Sequence, residues 1–285
     1  MLINLAAMLR MAEEKKIAVG SFNVCNVESL QAVWRAARDS DTPVIISFGE
    51  AYDRHMPLEG MAALVRELVA PSPLPAVLHL DHSKEKKTIL RALAAGFTSV
   101  MFDGSALPLD ENIRRSREMA EMAHILDASL EGELGYMNPE DGTGGDASRM
   151  GECTRVSDAR QYAVESGADA LAIAIGNAHG IYKGTPHLDF GRLEEIRQAV
   201  RIPLVLHGSS GIPRELLQQA IRLGIRKVNI NTEVSTRGIR AARDFMESHT
   251  DPNTRFEAMT KAAEGEMAQA VKECIAMFSP ENGQK

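Results

Sequence analysis

The chain has 285 residues, of which 44% are hydrophobic and 25% are charged, and its formal net charge is −7 at pH 7. This acidic balance argues against nucleic acid or an anionic membrane as a partner, and no apolar run approaches the roughly 20 residues that span a bilayer. The three cysteines, Cys25, Cys153 and Cys274, are sparse and odd in number, which favours reduced thiols in a cytoplasmic protein over a disulfide framework. The first ten residues resemble a short amphipathic helix rather than a signal peptide.

Eight short apolar runs rich in Val, Ile, Leu and Ala recur along the chain. Runs of this kind are typical of parallel strands that are covered on both faces. We predict strands at 17–22, 44–48, 76–80, 99–102, 128–133, 170–175, 203–206 and 227–230.

Amphipathic stretches with helical spacing separate these runs. Gly96, Gly167 and Gly224 stand where three of the helices end, and Ser157 is placed to cap the helix that follows it. We predict helices at 28–40, 58–68, 84–95, 110–126, 158–166, 190–200 and 214–223.

Eight strand–helix units in a chain of this length predict an α/β fold, a (β/α)8 TIM barrel. We expect one domain over 1–285, with an added C-terminal helix within 251–278. A doubly wound parallel sheet is the alternative arrangement of the same elements. The segment 135–152 is long, glycine-rich and acidic, which is typical of lids and binding loops.

Three histidines lie at the ends of predicted strands. His82 ends strand three, His179 follows strand six and His207 ends strand seven. In a barrel these ends meet at one rim, and three imidazoles are the ligand set of a catalytic zinc site with an open position. Each could instead be an ordinary polar strand-end residue, but three such positions together favour a metal site. Asp81 precedes His82 and could transfer a proton or orient that histidine.

Carboxylates at two further strand ends could complete this site. We expect Glu131 and Glu133 to face opposite sides of strand five, so that one of them points into the barrel mouth. Asp103 ends strand four and could support a metal ligand.

A candidate anion site follows strands six, seven and eight. Glycines let backbone N–H groups approach an anion, and hydroxyl, amide and lysine side chains add donors. The loops after strands seven and eight are also the common phosphate site of TIM barrels. The candidate residues are Gly180, Lys183, Gly208, Ser210, Asn229, Asn231 and Thr232.

Several motifs occur together in a consistent order: Leu-Asp-His at 80–82, Glu-Leu-Gly at 133–135, Ala-His-Gly-x-Tyr at 178–182, Leu-His-Gly-x-Ser at 206–210 and Asn-x-Asn-Thr at 229–232. Together with Phe-Asn at 22–23 and Asp-Gly-Ser at 103–105, they resemble the class II, zinc-dependent ketose-bisphosphate aldolases. The resemblance covers nearly the whole chain.

The resemblance implies an aldolase that reversibly cleaves a ketose, such as a fructose- or tagatose-bisphosphate-like sugar, to dihydroxyacetone phosphate and an aldehyde. It implies Zn²⁺ on His82, His179 and His207, with Glu133 as a carboxylate that can exchange onto the metal. Asp81 would transfer the proton of the aldehyde-side oxygen, and Glu140 or Asp141 in the long loop would move the donor proton. A homodimer or homotetramer is implied as well.

The resemblance also assigns the substrate side of the site. The glycines, Ser210, Lys183 and the 229–232 motif would hold the phosphorylated donor fragment, with Na⁺ or K⁺ beside the phosphate. Asn23 would contact the same fragment.

Three departures from the family pattern leave the substrate open. Gly49 stands where a Ser or Thr often contacts the phosphate, and the loop reads Asn138-Pro-Glu-Asp-Gly around its candidate base. Arg255 is the one candidate for a second phosphate. A non-bisphosphate or acidic ketose is therefore the alternative substrate class.

A metal-dependent TIM-barrel hydrolase is an alternative function, but such an enzyme would favour a His-x-His pair, which strand one lacks. A non-catalytic aldolase-like subunit would not need Asp81 and all three histidines.

Overall fold

The computed structural model describes residues 1–135, 153–178, 180, 182 and 186–278. Eight parallel strands close into a barrel in chain order, and the last strand pairs with the first. The strands are β1 Val19–Asn23, β2 Val44–Gly49, β3 Ala76–Ser83, β4 Ser99–Phe102, β5 Ser129–Leu134, β6 Ala170–Ile173, β7 Leu204–Leu206 and β8 Ile225–Ile230.

Helices surround the barrel, and a short 3-10 helix at Glu50–Arg54 follows β2. The long C-terminal helix packs against the second and ninth helices. The helices are α1 Leu5–Lys15, α2 Val27–Asp39, α3 Leu58–Leu68, α4 Lys86–Ala95, α5 Leu109–Ile125, α6 Val156–Glu165, α7 Phe190–Ala199, α8 Arg214–Arg222, α9 Thr232–Ser248 and α10 Phe256–Phe278.

The predicted TIM barrel with its added C-terminal helix is confirmed, and the doubly wound alternative is wrong because the sheet is closed. Gly96 ends α4 in the left-handed conformation with a φ of 96°, as its position predicts. The Ser157 prediction is wrong: α6 begins at Val156, and the Ser157 hydroxyl donates to Asp158 within the helix.

The apolar core forms two clusters. The larger one fills the space between the strands and the surrounding helices. The smaller one lies inside the barrel, where α1 packs its buried face on residues near the strand starts. Its members are Leu5, Met8, Leu9 and Ala12 of α1 and Val19, Ile45, Val77, Ala170, Ala172 and Val205 of the strands.

The barrel interior becomes polar toward the carboxyl ends of the strands. His79, Glu131 and Lys227 are fully buried, and Asp81 and Glu133 are 2% exposed. These buried polar side chains lie directly below the candidate site and contact its residues. No helix in the described part of the chain combines the length and apolarity needed to cross a bilayer.

Candidate metal and catalytic site

An irregularity at the end of β3 brings two consecutive polar residues into the barrel mouth. Leu80 packs in the outer core, so regular alternation would turn His82 outward as well. Instead, the pairing of β3 with β4 shifts register between Leu80 and Ser83, and His82 adopts a φ of 47°. A bulge of this kind re-aims a side chain. As a result, one ligand atom each of Asp81, His82 and His207 lie within 4.8 Å of one another.

The two described histidines face each other edge to face. His82 Nε2 lies 3.0 Å from His207 Nδ1, and the ring planes are inclined at 85°. The second nitrogen of each ring contacts a carboxylate: His82 Nδ1 is 3.3 Å from Asp103 Oδ2, and His207 Nε2 is 2.9 Å from Glu131 Oε1. Metal-bound histidines typically have such carboxylate partners, which fix the ring orientation.

These residues fit a zinc ion. Two nitrogens bound to one tetrahedral zinc at about 2.0–2.1 Å would be about 3.3 Å apart, close to the observed separation of the imidazoles. Glu133 Oε2 lies 3.6 Å from His82 Nδ1 and has no hydrogen-bond partner among the described residues. Because a buried carboxylate oxygen without a partner is costly, a cation beside it would be stabilising.

The expectation that Glu131 and Glu133 face opposite sides is wrong. Residues two apart on a strand share a face, and both glutamates point into the barrel. Glu131 is the deeper of the two: it contacts His207 from below and forms a fully buried ion pair with Lys227 at 2.8 Å. Glu133 lies beside His82 at the mouth.

The field of these carboxylates favours a positive charge between the imidazoles. Although burial lowers the pKa of His82, the neighbouring Asp81, Asp103 and Glu133 raise it to about 10. Burial and then the charge of Asp103 raise the pKa of Glu133. A divalent cation would relieve both effects because it supplies the charge that the protonated histidine otherwise provides.

Asp81 is held by two amide side chains. Asn23 Nδ2 donates to Oδ2 at 3.0 Å, and Asn229 Nδ2 donates to Oδ1 at 3.4 Å. Burial alone would raise the pKa of Asp81, but the charges of His82 and Lys227 hold it well below its usual range. The carboxyl group is therefore ionised and fixed in orientation.

The candidate anion-site residues of β7 and β8 are brought to the same mouth. Gly208 follows His207, and its carbonyl accepts a hydrogen bond from the Tyr182 hydroxyl at 2.8 Å. The same hydroxyl accepts from the backbone N–H of Ala178, so Tyr182 ties the loop after β6 to the loop after β7. Ser210 is 8% exposed in the loop after β7. Gly180 has a φ of 85°, a left-handed conformation that favours glycine.

At the end of β8, Asn229 points toward Asp81, whereas Asn231 donates to the Tyr52 hydroxyl at 3.1 Å. Thr232 begins α9 at the same end. Gly49 ends β2 next to Asp81 of β3. Arg255 directly precedes α10, and its side chain is 81% exposed and pairs with Glu257 in the first turn of that helix.

Four further predicted site residues, His179, Lys183, Glu140 and Asp141, lie outside the described residues. Four further histidines are exposed and lie away from the barrel interior: His55, His124, His187 and His249.

The predictions from the sequence did not include Lys227 and Tyr52 among the residues at the barrel mouth. Lys227 had a usable signal: a lysine two residues before Asn229 on the same strand shares its inward face. Tyr52 had none, because its partner Asn231 is 179 residues away in the chain.

Comparisons with known proteins show which family the chain resembles in sequence and fold. The family model described as fructose-bisphosphate aldolase class-II matches residues 3–283. The solved structure of the YdjI aldolase from Escherichia coli K12 is 32% identical, covers 100% of both chains and has a TM-score of 0.87. A putative fructose-1,6-biphosphate aldolase from Coccidioides immitis is 27% identical over 96% of both chains, with a TM-score of 0.86. The fructose-bisphosphate aldolase from Campylobacter jejuni, 22% identical over 99% of this chain and 97% of its own, has a TM-score of 0.82 and supports the fold alone.

The protein is therefore a TIM-barrel lyase that acts on carbon–carbon bonds. More narrowly, it belongs to the class II fructose-bisphosphate aldolase family. That family is generally zinc-dependent, and membership implies a small-molecule sugar phosphate as the substrate.

Replacing one facing imidazole tests the metal assignment. We expect the purified protein to bind about one zinc ion per chain and the chelator-treated protein to take up Co²⁺ with a tetrahedral absorption band. His207→Ala should lose most of the zinc and the cobalt band, as measured by elemental analysis and visible absorption. His124→Ala is the matched control, because His124 is exposed and pairs with Asp169. Full zinc retention by His207→Ala would contradict the assignment.

Proposed function

We propose that the protein is a zinc-dependent aldolase that reversibly cleaves a phosphorylated ketose to dihydroxyacetone phosphate, or a related donor, and an aldehyde. The observation that carries the proposal is the fixed, ionised Asp81 beside two facing imidazoles at the barrel mouth. Cleavage needs a base for the hydroxyl proton next to a site that stabilises the charge left on the donor, and this arrangement supplies both.

His82, His207 and, by resemblance, His179 would hold the zinc ion, with Glu133 as the exchangeable carboxylate. When bound there, zinc would polarise the ketone and stabilise negative charge on the donor fragment. Asp103 and Glu131 orient the two described imidazoles through their second nitrogens. Lys227 balances the charge of Glu131.

Asp81 would accept the proton from the substrate hydroxyl on the aldehyde side. As that O–H proton moves to Asp81, the O–H electrons form the aldehyde carbonyl and the electrons of the breaking carbon–carbon bond pass to the donor. The two amide donors on Asp81 keep one carboxylate geometry throughout. In the direction of synthesis, the same proton returns to the aldehyde oxygen.

The donor carbon then needs a proton, which we assign to Glu140 or Asp141 of the long loop. Gly180, Lys183, Gly208 and Ser210 would hold the phosphate, with Na⁺ or K⁺ beside it. The remaining contacts to the donor fragment are assigned to Asn23, Asn229, Asn231 and Thr232.

The same chemistry would serve a ketose that is not a bisphosphate. Arg255 is exposed and paired with Glu257, so this arginine is not fixed at the mouth for a second phosphate. A ketose with one phosphate or a carboxylate is accordingly the second candidate. We also propose that each chain forms one domain over 1–285 and that the chains assemble into a cytoplasmic homo-oligomer.

A retro-aldol screen tests the function. The zinc-loaded protein is incubated with ketose bisphosphates, monophosphates, acidic ketose phosphates and unphosphorylated ketoses, and product aldehydes are identified by mass spectrometry. We expect turnover of at least one phosphorylated ketose, lost after chelation and restored by Zn²⁺. Absence of cleavage across all classes by metal-loaded protein would refute the proposal.

The role of Asp81 predicts a separation between metal binding and turnover. Asp81→Ala should lower kcat by about 10²–10⁴-fold, the usual contribution of a positioned acid–base group. Its zinc content should stay unchanged. Asp39→Ala is the matched control, because it removes a surface carboxylate that pairs with Lys272. Wild-type turnover by Asp81→Ala would exclude this role.

The loop assignment predicts an effect on proton exchange. Dihydroxyacetone phosphate is incubated with the enzyme in D₂O, and loss of its donor proton signal is followed by NMR. Truncation of the acting residue, in Glu140→Ala or Asp141→Ala, should abolish exchange while the ligand still binds. If both variants exchange at the wild-type rate, the base lies elsewhere.

A further inference from the structure

His79 lies inside the barrel directly below Asp81. The two residues are separated by one position on β3, so both side chains face the interior, and His79 is fully buried. It has no assigned role in holding the metal or the substrate. A fully buried imidazole brings two polar nitrogens into the core, and a buried polar atom without a partner costs free energy. The surroundings of the two nitrogens therefore indicate what this residue does.

The two ring nitrogens of His79 have different surroundings. Nδ1 lies 2.8 Å from the Ser99 hydroxyl oxygen on β4, which is a hydrogen-bond distance. Nε2 lies 3.8 Å from Asp81 Oδ1 and 3.8 Å from Glu131 Oε2. These separations are too long for direct hydrogen bonds, and Nε2 has no hydrogen-bond partner among the described residues. This nitrogen therefore faces the gap between two carboxylates.

Electrostatics decide which nitrogen of His79 carries the proton. Burial, followed by the charge of Lys227, lowers the pKa of His79 to about 3, so the ring is neutral and has one N–H group and one lone pair. A lone pair on Nε2 would be repelled by the ionised Asp81 and Glu131, whereas an N–H group there is attracted to both. The Ser99 hydroxyl can then donate to Nδ1. We therefore expect the proton on Nε2.

An N–H group at this position restrains the oxygen of Asp81 that its amide partners hold less closely. Asn23 donates to Oδ2 at 3.0 Å, whereas the bond from Asn229 to Oδ1 is longer, at 3.4 Å. Oδ1 is also the oxygen that faces His79. The N–H dipole lies between the negative charges of Asp81 and Glu131 and reduces their repulsion, which is strong in a buried site.

We propose that His79 is a positioning residue: its Nε2–H group, fixed by the Ser99 hydroxyl, holds Asp81 in the orientation in which Asp81 accepts the substrate proton. The inference rests on the proposed function for the role of Asp81. The position of the proton on His79 and its effect on the orientation of Asp81 can both be measured without turnover.

Neutron diffraction locates the proton directly. Zinc-loaded protein expressed and crystallised in D₂O shows each exchangeable hydrogen as deuterium. We expect deuterium on Nε2 of His79, none on Nδ1, and the Ser99 hydroxyl deuterium directed at Nδ1. Deuterium on Nδ1 overturns the inference, whether or not the protein cleaves a ketose.

Two substitutions of His79 separate the N–H group from the volume of the ring. His79→Leu fills a similar space without a donor, and His79→Gln keeps an N–H group at a similar reach. On a ketose identified by the screen, His79→Leu should lower kcat roughly tenfold or more, the typical effect of losing a hydrogen bond to a charged group. KM and zinc content should stay unchanged, and His79→Gln should recover most of kcat.

Crystal structures of the two variants report on Asp81 without any substrate. We expect the Asp81 carboxylate to be rotated or disordered in His79→Leu and to keep the wild-type orientation in His79→Gln. If wild type cleaves no ketose, the proposed function fails, and these structures still decide whether His79 positions Asp81.

Ser99→Ala and Ser129→Ala form a matched pair on neighbouring strands. Ser99 and Ser129 are buried and pair in register, but the Ser129 hydroxyl accepts from the backbone N–H of Ala6 instead of contacting His79. Ser99→Ala should lower kcat because it releases the tautomer of His79, and Ser129→Ala should keep wild-type kcat. Circular dichroism with thermal melting establishes that the variants are folded.

Three outcomes of the variant experiments overturn the inference: wild-type kcat in His79→Leu, an equal loss of kcat in His79→Leu and His79→Gln, or an unchanged Asp81 orientation in the structure of His79→Leu. If His79→Leu does not fold, Ser99→Ala and the neutron structure decide the question, and wild-type kcat in Ser99→Ala then contradicts the inference.

Discussion

The candidate site depends on one backbone constraint, the bulge at the end of β3. A regular strand can present only alternate residues to the barrel interior, so Asp81 and His82 could not both reach the mouth. The left-handed conformation of His82 makes this possible, at a conformational cost for a residue other than glycine. The metal ligation proposed for His82 and the proton transfer proposed for Asp81 therefore depend on one short segment, and any change in its backbone would move both groups together.

Below this segment, buried charges fix the geometry of the imidazoles. The fully buried pair of Glu131 and Lys227 is weak evidence for stability, because the loss of solvation can exceed the attraction between the charges. The ion pair instead contributes to the orientation of the His207 ring. Glu131 holds one nitrogen of His207, so the other nitrogen faces His82. In turn, Lys227 keeps Glu131 ionised and lowers its pKa to about 2 against the opposing effect of burial.

The barrel could be predicted because its signals are local. Apolar runs, and glycines such as Gly96 at helix ends, report on their own neighbourhood, and strand order follows chain order. His82, His207 and Asp81 could be found because strand ends converge in any such barrel. What could not be predicted depends on contacts across the barrel or on departures from regular geometry. The sidedness of Glu131 and Glu133 was misjudged, although alternation alone settles it. The bulge at His82 and the Tyr52–Asn231 contact require the closed structure, because distant segments meet there.

The helix α1 has a consequence for how the site is used. The apolar face of α1 packs on Val19, Ile45 and Val77 and closes the end of the barrel at which the strands begin. A ligand therefore cannot reach the buried Glu131 and Lys227 from that end. Under the proposed function, ketose, aldehyde and donor would therefore enter and leave at the other end of the barrel. In the proposed reaction, the product that lies nearer the entrance would then leave before the product that is bound more deeply.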